Sequence, residues 1–290
     1  MKACLICPSP RPAISALAQS VPLVNVPMFG KSLLEYWLEH LAGTGATHVQ
    51  ILADDRPEKV RELVGDGARW GLRAEVIAET RELSTSLARN KYPAAQKIEW
   101  LPESDDMVAL THFPGLPQHQ LFGSYADWFA ALWTWLPRAI GSNRLGMREL
   151  QPDVWVSTRA RIAPGVILRA PCWIGEDVTV GPRCTIGPRT ILENRALIGS
   201  DCEISGSVVG PETRLGGWAE LKDSVAWDRT LINWKSGSIV TISDPLLLCA
   251  LHELRPPSKF LALRHQVAAW FKDDKEELEL TWDNHPVKMP

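Results

Sequence analysis

No run of eighteen apolar residues occurs in the 290-residue sequence, which excludes a transmembrane helix. Positive charge is not in excess either. With 31 Lys and Arg against 34 Asp and Glu the net charge is −3, so no global field favours nucleic acid or an anionic membrane, and neither is expected as a partner. The six cysteines (Cys4, Cys7, Cys172, Cys184, Cys202 and Cys249) show no zinc-ligand spacing. Cys4 and Cys7 do form a CxxC, but strand alternation would turn them to opposite faces, so the pair reads as buried packing rather than a redox or metal centre. The opening MKACLICPSPRPA has one Lys and an apolar run broken by prolines. It reads as a first strand and its loop, not a signal peptide, and with free thiols a cytoplasmic location is expected. Histidine is missing from the whole stretch between Gln151 and Pro245. What is present, 45% hydrophobic and 22% charged residues, suits one large globular domain or two ordinary ones.

From Val156 an aliphatic residue returns every sixth position: Ile162, Leu168, Ile174, Val180, Ile186, Leu192, Ile198 and Ile204. After a one-residue slip the series resumes at Val209, Leu215 and Leu221. A helix repeats at 3.6 and a strand at 2, so a strict six predicts a parallel β-helix built of short strands and tight corners. Four positions after each aliphatic stands a small or medium residue, among them Ala160, Val166, Cys172, Val178, Cys184 and Cys202. A narrow triangular bore predicts this, because one large side chain per side fills it. Gly recurs one position after the aliphatic, where a corner needs a permissive backbone or a close approach.

Three hexads make one coil, so residues eighteen apart lie on adjacent rungs about 4.8 Å apart. This spacing predicts charge ladders, Asp177 to Arg195 to Glu212 and Arg183 to Asp201, read as solvated ion pairs rather than phosphate sites. Trp227 falls six after Leu221 and is expected to plug the last turn. Asp244 to Phe271 reads as helical with a break at Pro256–Pro257, Ser258 as an N-cap, and the charged tail starts at Lys272. Outward Trp173, Trp218 and Trp234 fit an oligomer face or a surface covered within the chain.

In the first half, strand and helix patterns alternate: strands at 2–7, HVQILAD, LRAEVIAE and 106–112, with helices SLLEYWLEHLAGTG, RPEKVRELVGD and YADWFAALWTWL. Such alternation implies a parallel sheet with ligands at its carboxyl edge, which points to PSPRPA, the segment after Glu79 and the segment after Thr111. His112 reads as structural, having no visible partner.

PMFGKSLLEYWLEHLAGTGATHVQIL, GDGARWG at 65–71 and LSTSL at 83–87 together resemble the sugar-1-phosphate nucleotidyltransferases, the nucleotide-sugar pyrophosphorylases. Several members of that family carry a left-handed β-helix, so the resemblance spans roughly residues 1–115 and the coil. The fold it implies is a shortened Rossmann-like nucleotidyltransferase domain (1–145), a left-handed parallel β-helix (146–243) and a C-terminal helical cap and tail (244–290). It places weak nucleotide contacts at Arg11, Ser84, Thr85 and Ser86.

The departures from the family pattern point away from turnover. The Gly-rich loop that wraps the triphosphate is replaced by PSPRPA, which has no Gly and whose prolines lack N–H donors. Leu23 stands where the family has its Lys, and VALTHFPG has no metal-holding Asp; Asp105 and Asp106 lie at the other end of that strand. Attack of a sugar phosphate on a nucleoside triphosphate needs those cations. The expectation is a catalytically inactive homologue with no catalytic residue, metal or cofactor. It would bind a nucleotide sugar, a catalytic homologue or a second copy of itself as regulator or scaffold in polysaccharide or nucleotide-sugar metabolism. The alternatives are an active nucleotidyltransferase with a rearranged Mg²⁺ site and a hexapeptide acyltransferase. The second is disfavoured because the His that acts as base in those enzymes is missing from the coil.

Overall fold

Four apolar segments of the first half pair side by side, all parallel: β1 (Lys2–Ile6), β2 (His48–Ala53), β3 (Arg73–Ala78) and β4 (Met107–Ala109), in the order β3-β2-β1-β4. The computed structural model describes residues 1–92, 99–139, 146–254 and 257–271, without the side chains of 103, 104, 257–262 and 264. One unit comprises Met1–Leu145 with Ile232–Val240, the other Gly146–Leu231 with Thr241–Pro290.

In the first unit β1 is inaccessible on both faces, as a central parallel strand covered by helices must be. Helix α1 (Leu33–Gly43) starts at a capping box. The Glu35 N–H donates to Ser32 Oγ at 3.1 Å and the Ser32 N–H donates to the Glu35 carboxylate at 2.8 Å, a motif that stabilises a helix by about 1 kcal/mol. The stripe Leu33, Leu34, Trp37, Leu38 and Leu41 is buried as its spacing predicts. Helix α2 (Pro57–Val64) stops at Gly65, whose φ is +59°. After α3 (Thr85–Lys91) comes the longer α4 (Tyr125–Ala139). Its Trp135 stacks on Phe113 with centroids 4.7 Å apart, and its Phe129 stacks on Trp234 of the Ile232–Val240 segment at 4.4 Å. Strand β4 is shorter than the expected 106–112: a helical turn, Glu103–Asp106, takes its first position, and the strand ends at Ala109.

The second unit is a left-handed parallel β-helix, with its strands on three sides. The first side stacks Val154–Ser157, Cys172–Ile174, Thr190–Leu192, Val208–Val209 and Ser224–Trp227. The second stacks Arg161–Ile162, Thr179–Val180, Leu197–Ile198 and Thr213–Leu215. The third stacks Ile167–Leu168, Thr185–Ile186, Glu203–Ser205 and Glu220–Lys222. Adjacent rungs pair Val156 with Ile174, Ile174 with Leu192, and Leu192 with Val209 across the slip. The bore holds the periodic aliphatics together with Cys172, Cys184 and Cys202, as predicted. Burial pushes the Cys172 thiol up to about 12, which suits packing rather than reactivity.

Three expectations are corrected here. At several corners the left-handed residue falls three after the aliphatic, on Asp177, Arg183, Arg189, Arg195, Asp201 and Glu212, all with φ between 50° and 62°. The glycines one position after the aliphatic serve as expected, Gly187 with a φ of +102° and Gly181 by close approach: a Cβ on Gly181 would lie 2.8 Å from the Gly199 carbonyl carbon. The ladder pairing of Asp177 is with Arg159 one rung earlier, while Arg183–Asp201 (2.6 Å) and Arg195–Glu212 form as predicted. Trp227 does not plug the bore. Ala226 pairs with Val209 and takes the inward position, and Trp227 is buried over Gly210.

The coil edge on the second side is closed by a strand, Leu248–Ala250, which runs antiparallel to Thr213–Leu215 where a helix was expected. Among the described residues beyond it, Pro257–Trp270 is helical (α5), after a short 3₁₀ turn at Leu251–Leu254. The break at Pro256 and the tail from Lys272 lie outside the described residues, and Ser258, expected as the N-cap, is the second residue of α5. Among the outward tryptophans Trp173 is buried and Trp218 is 80% exposed.

Candidate functional site

The carboxyl ends of β1, β2 and β3 bring together Ser9, Arg11, Asp54, Glu79 and Glu82. Each stands a few residues past the end of its strand, so the parallel sheet delivers them to one edge. The loop after β1 is filled by its own chain: Pro12–Ala18 winds into 3₁₀ turns that bury Ile14, Ala16 and Leu17. The Ala16 N–H donates to Tyr125 Oη at 3.2 Å, and Arg56 holds the loop's end through the carbonyls of Ala18 and Val21, each at 2.9 Å.

The donors that remain in the loop meet a carboxylate. The Ser9 N–H donates to Glu82 at 2.9 Å, and the Arg11 guanidinium reaches both Glu82 oxygens, at 2.9 and 2.7 Å. The Ser9 hydroxyl donates to Asp54. Arg11 is therefore placed at the expected edge, but as the partner of a glutamate 71 positions away. Ser84 caps α3, its Oγ accepting the Leu87 N–H at 3.3 Å, and Ser84 and Ser86 share a hydroxyl contact of 3.0 Å; Thr85 is the first residue of α3 and exposed.

Beside α3 lies a cavity of about 430 Å³ lined by Glu79, Thr80, Arg81, Leu83, Leu87 and Lys91. It includes none of Arg11, Ser84, Thr85 or Ser86. The Glu79 side chain is buried, and burial alone would raise its pKa. Hydrogen bonds from Lys91 (2.7 and 2.8 Å) and from the Tyr92 hydroxyl (2.5 Å) outweigh that and hold it below the ordinary carboxylate range. Burial is also the first cause that raises the Cys7 thiol, helped by Asp54, which suits packing. Glu82, Ser9 and Lys91 had no motif to announce them; the only sequence signal for Asp54 and Glu79 is their place just past a predicted strand.

The donor set does not fit Mg²⁺. Among the described residues no group of three or more His, Cys, Asp and Glu is arranged to hold a metal. Asp106 is buried and ion-paired with Arg89 at 2.6 Å, and Asp105 faces His40 at 3.4 Å, both at the amino end of β4. His112 is structural: its Nδ1 meets the Phe113 carbonyl at 2.9 Å, its own carbonyl accepts the Trp37 indole N–H at 2.8 Å, and the two rings meet edge to face. No helix among the described residues is long and apolar enough to cross a membrane.

Residues 150–250 match the family model described as the GMPPB C-terminal domain. The match covers the coil and makes that region sugar-nucleotidyltransferase-like. No curated protein matches the chain. Among solved structures, a mutant of perosamine N-acetyltransferase from Caulobacter crescentus, in complex with CoA and GDP-perosamine, is similar at 10% identity. That comparison covers 63% of this chain and 94% of that one with a TM-score of 0.16. The acetyltransferase domain of PglB from Neisseria gonorrhoeae FA1090, in complex with acetyl coenzyme A, is similar at 11% identity, covering 63% and 97% with a TM-score of 0.15.

Proposed function

We propose that the chain is a catalytically inactive nucleotidyltransferase-like protein that acts by binding, as a regulator or scaffold of a catalytic homologue in cytoplasmic nucleotide-sugar or polysaccharide metabolism. The observation that carries this is the Glu82 carboxylate, which accepts from both the Ser9 N–H and Arg11, the donors that the loop after β1 would offer a phosphate. With Asp54 accepting from the Ser9 hydroxyl as well, that edge offers a triphosphate little unpaired positive charge. A nucleotide sugar, with fewer charges, is the small-molecule alternative, and the cavity beside α3 with Arg81 on its wall supports it.

The test is pyrophosphate release from nucleoside triphosphates and sugar 1-phosphates by the whole chain with Mg²⁺. No release above the protein-free rate is expected. Metal-dependent turnover would establish the active alternative instead. Thermal melts with nucleotide sugars then separate the two binding readings: ligand at a hundredfold its Kd adds about 2.7 kcal/mol of stability, whereas a scaffold of a partner enzyme shows no such shift.

A further inference from the structure

We propose that the groove between α5 and the second side of the coil binds a single-chain anionic amphiphile. The groove encloses about 580 Å³, within the range of small-molecule sites. Its lining includes Leu197 and Leu251 on the coil side and Leu263, Val267 and Phe271 on the helix side. Leu197 is buried, but Leu251, Leu263, Val267 and Phe271 are only partly covered, so the helix stands off the coil without closing on it. Apolar walls around such a space gain contact and lose water when an apolar chain enters.

The charge at the rim selects the headgroup. Asp177 is paired with Arg159, and Arg195 with Glu212, so those groups cancel. Arg161 also lines the groove, is exposed, and has no side-chain hydrogen bond or ion pair among the described residues. A guanidinium unpaired among the described residues, beside an apolar groove, fits an alkyl chain that ends in a carboxylate or a phosphate.

The test is calorimetric titration of the whole chain with dodecyl phosphate and, separately, dodecanoate, below their micelle concentrations. The relative affinities decide which headgroup the groove prefers. Saturable one-to-one binding is expected, with no heat from inorganic phosphate alone. Arg161→Gln, a surface change that leaves the melting temperature unaltered, should weaken binding about tenfold, the loss of one charge-assisted contact. Ala268→Trp, which fills the groove from the helix side, should abolish it. No binding, or binding unaffected by both substitutions, overturns the proposal. Binding that appears only after deletion of residues 272–290 also overturns it, since the chain itself would then be the occupant.

Discussion

Single residues carry most of the electrostatic consequence in the first unit. Asp106 is 3% exposed and its carboxylate is held bidentately by Arg89, at 2.6 and 3.1 Å. Arg89→Ala leaves a buried charge without its main partner, so stability should fall by about 2 kcal/mol, read as a lower urea midpoint. Glu79 gives a pH dependence of definite sign. Its folded pKa lies below the unfolded value, so the stability it contributes is present above the unfolded carboxylate pKa and is lost as pH falls through the folded one. Urea midpoints from pH 6 to pH 3 should therefore drop more steeply for the native chain than for Glu79→Gln. A parallel course for both would show that Lys91 and Tyr92 do not stabilise the charge. At this scale the sequence is least informative. Arg11 is visible as a phosphate candidate, but its partner Glu82 lies 71 positions away and no local pattern links them.

At the scale of the element, the coil separates packing from charge. Ile198 is inaccessible in the bore, and Ile198→Ala should destabilise by about 3 kcal/mol through lost transfer energy and a cavity. Gly181→Ala meets the backbone of Gly199 at 2.8 Å, which cannot swing away as a flexible side chain would, so overpacking of about 1–3 kcal/mol is expected. Arg183→Ala instead removes an ion pair whose arginine is exposed and whose Asp201 is half-buried, and should lower the melting temperature far less than the bore substitution. If Arg183→Ala proved as damaging as Ile198→Ala, the ladders and not the bore would hold the coil. The period of six made the bore legible because each rung repeats the same steric demand. The coil end was not legible for the same reason: a second one-residue slip puts Ala226, not Trp227, inward, and the period carries no warning of it. Leu248–Ala250 was read as helix because a short apolar run does not distinguish a helix from an edge strand; only its partner Thr213–Leu215 decides.

At the scale of the whole chain, the two units are not two consecutive halves. The first unit takes in Ile232–Val240, which follows the coil in sequence, and through it the stack of Trp234 on Phe129, with an interplanar angle of 15°. An aromatic stack contributes about 0.5–1.5 kcal/mol beyond the area it covers, so the α/β unit draws part of its stability from residues that follow the coil in sequence. Trp234→Ala in the intact chain should accordingly speed amide hydrogen exchange across Tyr125–Ala139 while leaving exchange in the bore strands at its native rate. A chain that stops at Leu145 lacks the segment altogether and should show the same change, larger, along with a newly exposed Phe129. Exchange that rose equally in α4 and in the bore strands would instead mean that the units open together and that the excursion belongs to neither alone.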